Sequence, residues 1–224
     1  MVAILVRRCL ILWFVLVGFL HSAPAATITV TNFDGPRSNL LSRDDGTILT
    51  SGLVWLGTFT IDNAGIRKAF ADRDLVLLEE SFQQFGRSAS IGFNGLPGLY
   101  QDVVTQAVAE GDTFAGQNVY TVISNQGLLH DADHLLIFQH DQVFLTDPNR
   151  NDPALLNDEE GELLVGEFGR FLGSIGQIED QPMFTLARTI PEPSSTMLLV
   201  ISLSLIMSRS AFYKYDSIHV SSLT

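Results

Sequence analysis

Between residues 26 and 190 the spacing of apolar positions changes period twice. "TITVTNF" (27–33) alternates β-branched and polar residues and predicts a first strand, and "TILTSGLVWLGTFTI" (47–61) predicts one or two more. The period then becomes helical. In "DLVLLEESFQQFG", Leu75, Leu78, Phe82 and Phe85 recur at steps of three, four and three, which places them on one helix face, with Asp74 capping its start and Gly86 its end. Just upstream, Asp62 or Asn63 caps a shorter helix whose Ile66, Ala69 and Phe70 share a face. Two short helices in tandem, each with one apolar stripe, predict a helical pair laid over a sheet.

Beyond Gly86 the period returns to that of strands. "NVYTVISN", "HLLIFQH", "QVFLT", "ELLVGEF" and "MFTLAR" are short apolar runs separated by Gly, Asn and Asp, without the helical connections that parallel strands require. The expected architecture is mainly β (α+β): an antiparallel, sandwich-like sheet domain with a two-helix insert.

The ends have a different character. Arg7 and Arg8 precede an unbroken apolar run from Cys9 to Leu20, and Ala23-Pro24-Ala25 supplies small residues at the positions a signal peptidase reads. Residues 1–25 are therefore expected to be an export signal cleaved after Ala25, with Ala26 the neighbouring alternative. Cys9, the one cysteine, would leave with it, so disulfides, zinc–thiolate sites and cysteine nucleophiles are excluded from the exported domain at 26–190. That region holds 23 Asp and Glu against 9 Arg and Lys, a formal charge of 9 − 23 = −14, which repels nucleic-acid phosphates and rules against a nucleic-acid partner.

Three acidic stretches carry candidate chemistry. "HDADH" places His130, Asp131, Asp133 and His134 within five residues, a ligand set that a divalent metal would accept. It is the basis for an alternative expectation, a secreted metal-assisted hydrolase, against a plain turn before a strand. "DPNRNDPALLND" sets Asp147, Asn149 and Asn151 at alternate positions with Asp158 at the twelfth, much as in a calcium loop, although Asp152 stands where such a loop wants glycine. Asp158, Glu159, Glu160 and Glu162 in "NDEEGE" are too crowded on one turn to flank a cleft as an acid and base pair. No nucleophile elbow, phosphate-binding loop or zinc-protease motif occurs, so neither an enzyme nor a resident cofactor is the leading expectation, with calcium at residues 147–158 and a divalent metal at residues 130–134 as the alternatives.

The C-terminal stretch "PEPSSTMLLVISLSLIMSRS" (191–210) joins a stiff tripeptide to a twelve-residue apolar run, Thr196 to Met207, and then Arg209. On its own it is short for a membrane span, but after an export signal a short apolar segment and a positive charge hold the chain at the inner membrane with its domain outside. These residues resemble the PEP-CTERM sorting signal of exported proteins in Gram-negative bacteria that make exopolysaccharide. The resemblance implies that Pro191, Glu192 and Pro193 are recognised by an exosortase-like processing enzyme, that Thr196 to Met207 is a transient transmembrane anchor and that Arg209 is the stop charge. It departs from the family pattern in its sparse closing basic residues, Arg209 and Lys214, and in the polar tail at 214–224 that follows the signal at 191–213.

The order of "GLVWLGTF", "IRKAFADRDLVLLEESFQQFG", "GQNVYTVISN", "HLLIFQHDQVF", "GELLVGEFG" and "FTLA" also looks like a recurrent cargo type among PEP-CTERM proteins, which implies the architecture and lends nothing to catalysis. The expectation is thus an exported cell-surface or extracellular-matrix protein. Its expected partners are the export machinery and signal peptidase, an exosortase-like enzyme, the membrane through the C-terminal segment, and exopolysaccharide.

Overall fold

A computed structural model describes residues 25–34, 37–107, 114–145, 153–171, 174–175, 178–179 and 181–189. The strands are β1 (Ala25–Thr31), β2 (Leu40–Ser42), β3 (Leu53–Phe59), β4 (Phe82–Gln84), β5 (Ala89–Ser90), β6 (Gln101–Ala107), β7 (Asn118–Ser124), β8 (His134–Val143), β9 (Ala154–Leu155), β10 (Gly161–Val165), β11 (Glu167–Arg170), β12 (Pro182–Thr185) and β13 (Ala187–Arg188). Two further hairpins, of two residues a side, pair Phe33–Asp34 with Arg37–Ser38 and Ser174–Ile175 with Ile178–Glu179. The helices are α1 (Asn63–Asp72) and α2 (Leu75–Ser81). The expected class, mainly antiparallel β with two inserted helices, is the observed one.

A central sheet runs β10-β8-β7-β3-β4, with β5 pairing β3 and β13 pairing the start of β8. Its middle strands are apolar on both faces because both faces are covered. Trp55, Phe59, Tyr120, Val122, Leu135 and Ile137 meet Ile66, Ala69 and Leu78 of the helices. The alternate positions Val54, Leu56, Ile123, Leu136 and Phe138 meet Ile28, Val30, Leu41, Tyr100 and Phe184, contributed by the other β layer and its connections. That layer comprises two three-stranded sheets, β9-β1-β6 and β11-β12-β2.

Both helices start where their caps predict. Asp62 Oδ1 accepts from Gly65 N at 2.8 Å and Asp74 Oδ1 from Leu77 N at 3.0 Å. The second helix, however, ends at Ser81 rather than running to Phe85. Phe82 becomes the first residue of an extended segment that pairs with β3, so Phe82 packs on the helix side of the sheet while Phe85 is buried in the opposite layer. Four aromatic and aliphatic residues at helical spacing were therefore shared between two cores. The strand at 101–107 is an addition to the predicted set; it pairs with β1 along all seven residues.

Gly57 is the position where the sheet accepts no side chain. A Cβ there would lie 2.2 Å from Gln83 O and 2.6 Å from the Phe82 ring, which covers this stretch of β3. The obstruction is backbone and a packed ring, neither of which yields easily. Gly57→Ala is expected to destabilise the protein by roughly 2–3 kcal/mol, read from urea denaturation; an unchanged midpoint would show that the Phe82 segment shifts freely.

Candidate functional site

The chain passes from β3 into α1 at the same end of the central sheet where β7 begins, because Gly57 pairs with Tyr120 in antiparallel register. Between these segments lies a cavity of about 500 Å³ lined by Thr58, Thr60, Asp62, Asn63, Gln117 and Asn118 among others. Phe59 and Tyr120 form its buried floor, packed edge to face with ring centroids 5.2 Å apart, while Thr60, Asp62, Gln117 and Asn118 are exposed at its rim.

One side of this floor is fixed by a hydrogen-bond network that crosses four elements. Tyr120 Oη donates to Asn63 Oδ1 at 2.9 Å, and Asn63 Nδ2 donates to both Gln139 Oε1 and Glu162 Oε2, the latter at 2.9 Å. Arg67 Nη2 donates to Glu162 Oε1 at 2.6 Å. Every polar position of the Asn63 amide is engaged, which defines its orientation. The bond from Arg67, aided by that from Asn63, holds the Glu162 carboxyl below its usual range against the opposing effect of burial. Burial raises the Tyr120 hydroxyl against the opposing effect of Asn118, with the nearby Glu162 and Asp62 charges adding to the rise, and so keeps it a neutral donor.

The predicted "HDADH" cluster is distributed rather than convergent. His130 presents both its backbone N and ring Nδ1 to Glu79 Oε2 on α2, at 2.8 and 2.6 Å, with Asp131 Oδ1 at 3.4 Å from its Nε2. His134 instead pairs through Nε2 with Asp44 Oδ1 at 2.8 Å. Asp133 Oδ2 accepts from Gln126 Nε2 at 3.0 Å, while Asn125 Oδ1 accepts the amides of Asp133 and His134 and so closes the loop into β8. Among the described residues no group of three or more His, Cys, Asp or Glu is arranged to hold a metal ion. These side chains do the work of a turn: each binds a different neighbour.

Asp158 is an exposed turn residue, and the other members of the calcium-loop reading, Asp147, Asn149 and Asn151, lie outside the described residues. So do Ala23, the sorting residues Pro191, Glu192, Pro193 and Arg209, and the apolar run Thr196 to Met207. Ala25 and Ala26 fall in β1, opposite Ala107 and Gln106. Among the described residues no helix is long and apolar enough to cross a membrane.

The Glu79–His130 contact titrates in a defined direction. The bond to Glu79 raises the His130 imidazole above its ordinary value, with Asp131 adding to it, whereas burial of Glu79 is outweighed by its bonds to the His130 amide and ring, so that its carboxyl lies low. The His130 contribution to stability is therefore complete below pH 6.5 and is lost as pH rises through the elevated value. An NMR titration should find His130 with the raised pKa, and Glu79→Gln should return it toward 6.5; a ring that titrates alike in both proteins would show that the pair is not formed in solution.

Sequence reading missed Asn63, Arg67, Tyr120, Gln139 and Glu162 as one network. The available signal was local: a Tyr inside "NVYTVIS" and a Gln inside "HLLIFQH" place polar tips on otherwise apolar, doubly covered strands, where each needs a partner. Comparison with known protein families, with curated proteins and with solved structures finds no match.

Proposed function

We propose that this chain is an exported, non-catalytic cell-surface or matrix-associated protein, sorted through its PEP-CTERM-like C-terminal segment and serving as a structural or binding module linked to exopolysaccharide. The observation that carries the reading is the placement of the described strands and helices. They run from Ala25, the last residue of the segment read as an export signal, to Arg188, shortly before the Pro191-Glu192-Pro193 tripeptide. Thr189, the last described residue, is buried and anchored, its backbone N donating to Asp133 O at 2.9 Å and its hydroxyl to Ala132 O. A processing enzyme that acts at or after residue 191 would thus meet its target just beyond the anchored end of the domain.

The acidic charge and the absence of cysteine from residues 26–190 suit a domain that folds after export without disulfide help. Intact-mass measurement of the protein recovered from the surface of the producing cells tests the reading. Expected are chains that begin at Ala26 and end within the sorting segment. Chains extending to Thr224 would overturn the sorting, and turnover of polysaccharide by the recovered protein would overturn the non-catalytic role.

A further inference from the structure

We propose that the groove between the β3–α1 turn and the start of β7 binds an uncharged saccharide chain, whose hydroxyls are read by Asp62, Gln117 and Asn118 above the Phe59–Tyr120 floor. This inference rests on the reading of the chain as a surface module linked to exopolysaccharide and names the chemistry of that contact.

The donor set carries the argument. A saccharide presents hydroxyls that both donate and accept, so its site needs groups that do the same within one residue. Side-chain amides do this, and a carboxylate accepts from two neighbouring hydroxyls at once with charge-assisted strength. The exposed rim offers two amides, Gln117 and Asn118, a carboxylate, Asp62, and the Thr60 hydroxyl, which donates to Ser81 O at 3.3 Å and so is left to accept. Asp62 is held in place because its Oδ1 caps α1 through Gly65 N.

The floor is organised before any ligand arrives. Tyr120 is 3% exposed and Phe59 6%, so neither ring is an open stacking platform, and recognition falls to hydrogen bonds at the rim. Tyr120 is fixed through Asn63, which Gln139 and Glu162 hold in turn. A groove of about 500 Å³ is in the range of small-molecule sites and needs no rearrangement to form.

Charge selects the class of saccharide. The region 26–190 carries 23 acidic against 9 basic residues, and Asp62 stands at the rim itself, so a uronate polymer is repelled where a neutral chain is not. Each rim hydrogen bond contributes about 1 kcal/mol, so single-site affinity is weak and retention on a polymer comes from repeated engagement.

The test uses the full chain and two immobilised probe sets: neutral oligosaccharides of hexose and N-acetylhexosamine up to six units, and polygalacturonate. At least one neutral glycan should be retained and polygalacturonate should not. Asp62→Asn preserves the helix cap, because Asn caps as well as Asp, and removes the charge together with one of the two acceptor oxygens. Asp62→Asn and Asn118→Ala should each reduce retention about fivefold with an unchanged melting temperature, and Gln117→Ala, at an exposed position, replaces any variant that fails to fold. No retention of any neutral glycan, equal retention of polygalacturonate, or undiminished retention by the folded variants each overturns the proposal. Processed chains that retain no glycan would sink the groove alone; unprocessed chains that do retain it would sink the sorting alone.

Discussion

Asn32→Asp is expected to lower the unfolding free energy by about 4 kcal/mol at pH 7, although it changes one atom of a side chain that contacts no candidate ligand. Asn32 is fully buried. Its Nδ2 donates to Asn39 O and to Gly98 O, both at 2.7 Å, and its Oδ1 accepts from Tyr100 N at 2.8 Å. One amide thereby binds three backbone groups from two segments, 39 and 98–100, alongside the backbone bonds Asn39 N to Asn32 O and Leu41 N to Gly98 O. Asn39 continues the staple, its Nδ2 donating to Leu156 O at 2.6 Å.

A carboxylate in place of the Asn32 amide would be a buried charge facing two carbonyl oxygens; Gly98 O would keep the Leu41 amide at 3.1 Å, but Asn39 O would lose its donor at a cost of about 1–3 kcal/mol, and the unpaired charge adds a penalty of at least similar size. Urea denaturation at pH 7 should show the loss. It should shrink as pH falls, because the introduced carboxyl, once protonated, regains one donor while its other oxygen still accepts from Tyr100 N. An Asn32→Asp protein as stable as its parent at pH 7 would mean that backbone bonds and packing hold these segments without help from the Asn32 side chain.

What the sequence disclosed and what it hid divide along the range of the interactions. Asp62 and Asp74 act within three residues of themselves, so both helix starts were legible. The doubly apolar strands "LVWLGTF", "VYTVIS" and "HLLIF" were legible because burial on both faces writes itself into every position. Phe82 and Phe85 were misassigned because helical spacing cannot distinguish one core from two; the deciding contact is with β3, more than twenty residues upstream. The strand at 101–107 was invisible for a similar reason. Val103 faces solvent and Val104 the core, so the segment has few apolar residues of its own, and its pairing partner lies at the other end of the domain.

The candidate site was the least legible part. The side chains that attracted attention by local density, His130 to His134, turn out to bind Glu79 and Asp44, distant residues that no spacing rule connects to them. The rim of the groove consists of Asp62, Gln117 and Asn118, common turn residues that acquire a joint role only when Gly57 pairs with Tyr120. Polar networks on a sheet are set by register, and register is a property of pairs of strands rather than of either alone.

His140 gives the second large effect, and its sign is opposite to that of His130. Its imidazole is 3% exposed, packs edge to face on Phe138 with centroids 5.0 Å apart, and makes its one described hydrogen bond to Thr121 Oγ1, 2.7 Å from Nε2. Burial pushes its pKa down to about 3. The folded protein therefore keeps this ring neutral while the unfolded chain takes up a proton below pH 6.5, so stability is complete above 6.5 and is lost as pH falls toward 3.

The slope is about 1.4 kcal/mol per pH unit, and the whole window is worth on the order of 5 kcal/mol, a large part of the stability of an ordinary domain. Between pH 6.5 and 5.5 the carboxyls held low in the fold, Glu79 and Glu162, stay largely ionised in both states, and the pair at His130 acts in the opposite direction, at higher pH. Denaturation curves across that interval should thus show a dependence close to one proton. His140→Gln retains a group able to bond Thr121 but does not titrate, and should remove that dependence while lowering stability at pH 7. If parent and His140→Gln proteins lose stability in parallel between pH 6.5 and 5.5, the buried imidazole is not the group that unfolding protonates.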